Sequence, residues 1–149
     1  MKERIVCPQC GCITEWFKNP FPTADVIVVI GGKVVLIKRK NPPYGWAIPG
    51  GFINWGESAE DAATREIKEE IGIDITDLEQ FHCYSDPKRD PRFHTITVVF
   101  TATGSGKPVA GDDAAEAGLF DAHHLPSPLA FDHESILKDY FSSRLTINP

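Results

Sequence analysis

The chain has 149 residues, 42% of them hydrophobic and 24% charged, with a formal net charge of −6. That length and apolar content suit one globular domain and exclude a disordered chain, while the acidic balance excludes general nucleic-acid binding. No apolar run approaches the roughly 18 residues of a membrane span, and the N-terminus lacks the apolar core of a signal peptide, so neither nucleic acid nor membrane is expected as a partner and the expected location is cytoplasmic.

In chain order, the first feature is "CPQCGC", which holds Cys7, Cys10 and Cys12; Cys83 stands apart. A Cys-x-x-Cys in a cytosolic chain points to metal or redox chemistry before a structural disulfide. The stretch resembles one knuckle of a zinc ribbon, but a second Cys-x-x-Cys is missing. Two readings stand. In one, Zn²⁺ is held by Cys7, Cys10 and Cys12, with Cys83 or another chain completing the set; in the other, the ribbon is degenerate and metal-free. "KNPFPT", Lys18 to Thr23, is a proline-rich hinge. It separates a cysteine-containing segment over 1–18 from the main domain over 19–149.

"ADVIVVI" then reads as a buried strand, "GG" as a turn and "KVVLIKR" as the second strand of a hairpin. "KNPPYGWAIPGG" is a loop around a short apolar segment. Ser58 opens a helix as its N-cap, with Asp61 placed as in a capping box, and Gly72 ends it. "FHCYS" and "HTITVVFTA" read as strands, "SGKPVAGDDAAEA" as a polar loop and "GLFD" as a short strand. "DHESILKDYFSSRL" closes the chain as an amphipathic helix with Ile136, Tyr140 and Phe141 inward. Strands and helices mixed in this order make a sheet covered by helices.

The chemistry concentrates on the first helix. Each residue advances about 100°, so with Glu66 at zero, Glu70 falls near ~40° and Glu69 near ~300°. The three acids share one arc, and Ala63, Ile67 and Ile71 form the adjacent apolar stripe. Glu66 and Glu70 repel as an i,i+4 pair, while Lys68 points nearly opposite. An exposed acidic face is the plain reading. The functional one is a site for a hard divalent cation, Mg²⁺ or Mn²⁺, which prefers carboxylate oxygens. Arg65 is a bidentate partner for Glu57, tying the preceding loop to the helix.

Gly51, five residues, Glu57, seven residues and then Arg65-Glu66-Ile67-Lys68-Glu69-Glu70-Ile71-Gly72-Ile73 match the Nudix box at every defining position. On these residues the chain is identified as resembling the Nudix hydrolases, from about Thr23 to the C-terminal helix. The resemblance implies an α/β/α sandwich with a mixed sheet, and hydrolysis of a nucleoside diphosphate linked to another group. It implies metal ligands at Glu66, Glu69 and Glu70, with the Gly50 carbonyl a further one, and supporting roles for Glu57 and Arg65. The general base stays open between Glu116, in a loop with Asp112 and Asp113, and a box glutamate such as Glu69.

Substrate candidates come from "SDPKRDPRFH". Lys88, Arg89, Arg92 and His94 form a local basic stretch in an acidic chain, suited to phosphate or ribose; an ordinary hairpin loop is the alternative. Arg39 joins them as a substrate-binding candidate. Tyr44, Trp46, Phe52 and Trp55 are candidate base stackers or simple packing. The basic stretch resembles the segment after the box in bacterial and archaeal ADP-ribose pyrophosphatases. The resemblance therefore implies cleavage of ADP-ribose to AMP and ribose 5-phosphate. The alternatives are NADH pyrophosphatase, whose post-box motif is missing, and a nucleotide-sensing Nudix module without catalysis. A homodimer is expected from family habit.

Overall fold

The structure, a computed structural model, describes residues 2–111 and 114–145. Asp112 and Asp113, named beside Glu116 in the polar loop, lie outside the described residues.

β1 (Lys2–Val6) and β2 (Ile13–Phe17) pair antiparallel as a two-stranded hairpin of their own. The sequence reading assigns no strands there. The apolar side chains of Ile5, Val6, Ile13, Trp16 and Phe17 are all exposed, so no core declares these strands by its pattern. Cys10 and Cys12 are joined as a disulfide, and Cys7 and Cys83 are free thiols. Of the two readings of this segment, the zinc one finds no support. Once Cys10 and Cys12 bond to each other, Cys7 is left as the single thiol of that segment, too few for a ribbon site.

The main sheet is mixed. It contains β3 (Phe21–Ile30), β4 (Lys33–Arg39), β5 (Trp46–Ala47), β6 (Gly50–Phe52), β7 (Ile75–Tyr84), β8 (Thr95–Gly104) and β9 (Ala114–Phe120). The order β5-β4-β3-β8-β7 forms its path, with β6 on β3 and β9 on β4. α1 (Ala59–Ile71) covers one face and α2 (His133–Leu145) the other. No helix among the described residues is long and apolar enough to cross a membrane.

The central strands are apolar at successive positions because both faces are covered. Val26, Val28, Val35 and Ile37 pack with Ala62, Ala63, Ile67 and Ile71 of α1. Ile27, Val34 and Leu36 pack with Ile136, Leu137 and Tyr140 of α2. α1 forms where the caps place it. Ser58 Oγ accepts from the Asp61 N–H, and Gly72 ends the helix in the left-handed conformation at φ +70°.

One departure from a simple hairpin makes room for the site. β3 and β4 pair only next to their turn, at Val29 with Val34 and Ile30 with Lys33. Beyond it the strands splay. The start of β3 pairs instead with β6 and runs parallel to β8. A cleft of about 420 Å³ opens there.

Candidate active site

The cleft lies between the end of the sheet, the inner flank of α1 and the segment leading into α2. It is lined by the acids Asp25, Glu66, Glu70 and Asp90, by the arginines Arg39, Arg89 and Arg92, and by Gly50 and Gly51.

Two close approaches require glycine. A Cβ on Gly50 would stand 2.6 Å from Asp25 Cα, and a Cβ on Gly51 would overlap the Glu66 carboxylate. The register explains the first, since Gly50 pairs directly with Asp25. The Gly50 N–H donates to Glu70 Oε2 at 2.9 Å. Burial, with Glu66 and Asp25 nearby, pushes the Glu70 carboxyl up to about 8. Burial raises Glu66 as well, against the pull of Arg65. Asp25 is pushed to about 6, again by burial, opposed by the Thr97 hydroxyl, which donates to it at 2.7 Å.

Arg65 organises the other acids. Its Nε and Nη2 donate to Glu57 at 2.7 and 2.9 Å, its Nη1 to Glu66 at 2.7 Å and to Glu69 at 3.2 Å, and Nη2 also to the Phe52 carbonyl at 3.0 Å. The Arg65 fork and the Asn54 N–H hold Glu57 at about 2. Crowding on α1 is therefore relieved in part by a cation of the chain itself. Glu57 and Arg65 brace the loop and do not line the cleft, and Glu69, with its side chain 60% exposed, stands beside it.

The basic stretch divides. Arg89 is buried, its side chain 4% exposed. It forks onto Asp132 at 3.0 and 2.8 Å and donates to Thr95 Oγ1 at 2.9 Å. Its guanidinium lines the cleft but is committed to internal partners. Arg92 forks onto Asp90 at 3.0 and 2.8 Å, and stacks on Phe93 and Phe131. Arg39 stacks on the same Phe131 ring at 4.8 Å. Lys88 is exposed on its loop, away from the cleft.

Glu116 is not in the loop expected for it. It lies within β9, opposite Lys38. Its neighbour Ala117 packs toward the α1 core, so by strand alternation Glu116 faces the other side of the sheet. It does not line the cleft.

A family model described as the NUDIX domain matches residues 20–140. The chain belongs to the Nudix family. An ADP-ribose pyrophosphatase of Methanocaldococcus jannaschii is 47% identical over 127 residues, 83% of this chain and 75% of that protein. An ADPR responsive transcriptional repressor of Acinetobacter baylyi is 31% identical over 143 residues, and this chain spans 55% of its length. A crystal structure of a MutT/nudix family protein from Enterococcus faecalis superposes with a TM-score of 0.80 at 33% identity, covering 88% of this chain and 64% of that one.

Nudix hydrolases generally use divalent metals such as Mg²⁺ or Mn²⁺. The donors here fit one in kind: carboxylates of Glu66 and Glu70, the Gly50 carbonyl and Asp25, all oxygen. No three acids, histidines or cysteines among the described residues are gathered closely enough to enclose an ion alone. The Glu66 and Glu70 carboxylates suit the habit of Mg²⁺, which takes one or two carboxylates and completes its shell with water and substrate phosphates.

Asp25, Asp132 and His133 are absent from the sequence reading of this Nudix site. Asp25 leaves a signal: it is the one acid in "ADVIVVI", and an unpaired charge in a buried strand is costly. Asp132 and His133 reach the site only through tertiary packing.

Proposed function

We propose that this Nudix hydrolase cleaves the pyrophosphate of ADP-ribose, with a divalent cation, to AMP and ribose 5-phosphate. The observation that carries the reading is one cleft lined both by the carboxylates of Asp25, Glu66 and Glu70 and by the guanidinium groups of Arg39 and Arg92. The identity of the substrate leans on the 47% identical pyrophosphatase.

Glu66, Glu70 and the Gly50 carbonyl would hold the cation, with Glu69 close by on the same helix. Bound there, the cation neutralises phosphate charge and lowers the pKa of a coordinated water. Arg39 and Arg92, braced on Phe131, orient the anionic and ribose parts of the substrate. A water oxygen attacks one phosphorus, the bridging P–O bond breaks, and the bridging oxygen leaves with the other phosphate. Glu69 is the group we assign to take the water's proton. It is the most exposed box acid, with its single long bond to Arg65, so it can pass a proton on to solvent. Glu116 is disfavoured by its place on the opposite face of the sheet.

A second reading comes from the repressor relative: a nucleotide-sensing module that binds without turnover. A panel of ADP-ribose, NADH, diadenosine polyphosphates and nucleoside triphosphates with Mg²⁺ or Mn²⁺, scored by products, tests both. The proposal expects kcat/KM for ADP-ribose at least about tenfold above NADH, a preference of about 1.4 kcal/mol. Binding of ADP-ribose without AMP release supports the sensing module instead.

A further inference from the structure

The segment before α2 runs beside β5 as the start of a parallel ladder. The Trp46 N–H donates to the Pro128 carbonyl at 2.9 Å, and the Ala130 N–H to the Trp46 carbonyl at 2.8 Å. The next rung of such a ladder would join the Ile48 N–H to the Ala130 carbonyl. That carbonyl instead accepts from the His133 N–H at 3.3 Å, and the Ile48 N–H donates to His133 Nδ1 at 2.9 Å. An imidazole nitrogen stands in for a main-chain carbonyl at the residue where the ladder ends and α2 begins.

Ile48 leads directly into β6, and the chain there is anchored at three successive residues. The Ile48 N–H is held by His133, the Pro49 carbonyl accepts from the Val26 N–H at 2.8 Å, and the Gly50 N–H donates to Glu70. The anchors come from α2, β3 and α1 respectively. His133 is 3% exposed, packed on the Phe131 ring at 5.1 Å, with Nε2 3.9 Å from Asp25 Oδ2. Since Nδ1 accepts, the ring proton resides on Nε2. Burial, then the nearby Arg89 and Arg39, hold the imidazole down at about 3, so it stays neutral and keeps its acceptor.

We propose that His133 is a positioning residue for the cation site: by accepting the Ile48 N–H, it fixes where Gly50 presents its amide to Glu70 and its carbonyl to a bound cation. The proposal rests on the reading of Glu66, Glu70 and Gly50 as that site. Three variants separate acceptor from bulk. His133→Asn places an amide oxygen where Nδ1 lies. His133→Leu fills the space without an acceptor. His133→Gln carries its oxygen one bond too far.

The experiment measures Mn²⁺ binding without substrate, from the electron paramagnetic resonance of free Mn²⁺, together with hydrogen exchange of the Ile48 amide. His133→Asn should bind Mn²⁺ within about threefold of wild type, and His133→Leu about tenfold or more weaker, the scale seen when a group behind a metal ligand is lost. The Ile48 amide should exchange faster in His133→Leu and stay protected in His133→Asn. If His133→Leu does not fold, His133→Gln is held to the same expectation. Wild-type affinity in the folded Leu or Gln variant overturns the proposal, as does equal weakening in His133→Asn. Wild-type protein that binds no Mn²⁺ overturns the cation-site reading itself, and this proposal with it.

Discussion

Arg89 and Arg92 show how little charge alone says about role. They sit three positions apart in one basic stretch, and the sequence assigns both to substrate. Arg89 is buried against Asp132 and Thr95, whereas Arg92 keeps its side chain 36% exposed at the wall of the cleft. Removing one partner of a buried ion pair leaves an uncompensated charge and costs about 3–5 kcal/mol. Arg89→Ala should therefore lose stability on that scale in urea unfolding, and any activity loss will follow from misfolding. Arg92→Ala leaves the buried Asp90 carboxylate without its fork and should also lose some stability, but in the folded variant it should raise KM for the best substrate about tenfold, with a smaller change in kcat. An unchanged KM in folded Arg92→Ala would contradict the division.

Among the elements, α1 is the most legible in sequence. Ser58, Gly72 and the stripe of Ala63, Ile67 and Ile71 each signal locally, and each takes its expected place. The β1–β2 hairpin was illegible because its apolar residues face solvent and its register follows no core. β9 extends further back than the "GLFD" strand that the sequence predicts. "AAEA" looks like loop by composition, and becomes strand only because β4 offers it an edge. The longer strand decides the place of Glu116, since a strand fixes which face a side chain takes. Loss of a general base costs about 10² or more in kcat. Glu116→Gln should therefore cost less than about tenfold at saturating metal, while Glu69→Gln should show the larger loss. A drop of that larger size in Glu116→Gln alone would return the base to β9.

At the scale of the whole molecule, the site is assembled by topology. Asp25 comes from β3, Gly50 from β6, Glu66 and Glu70 from α1, and His133 from the start of α2. Local pattern reveals the Nudix box, but only packing brings Asp25 and His133 beside it. The buried acids also set a pH dependence for the metal-free protein. Glu70, raised from 4.5 to about 8, keeps a proton in the folded state that the unfolded chain has released. That contribution is full below 4.5 and is lost as pH rises through about 8. Asp25 behaves alike up to about 6. His133, lowered from 6.5 to about 3, acts oppositely, adding stability as pH rises toward 6.5. Above 6.5, Glu70 governs among these three. In chelator, wild-type Tm should fall relative to Glu70→Gln between pH 6.5 and about 8. Mg²⁺ should raise Tm most at the upper end, because it binds the carboxylate form. Parallel Tm curves for the two proteins would contradict the assignment.

The central claim is that a cation held by Glu66, Glu70 and Gly50 supports hydrolysis of ADP-ribose. It is tested most directly by phosphorus NMR of ADP-ribose incubated with the protein and Mg²⁺, with and without chelator, alongside Glu70→Gln. The account predicts AMP and ribose 5-phosphate in equal amounts, none in chelator, and a folded Glu70→Gln slowed by about a hundredfold, or nearly 3 kcal/mol of barrier. Undiminished hydrolysis in chelator, or in Glu70→Gln at limiting Mg²⁺, would contradict it.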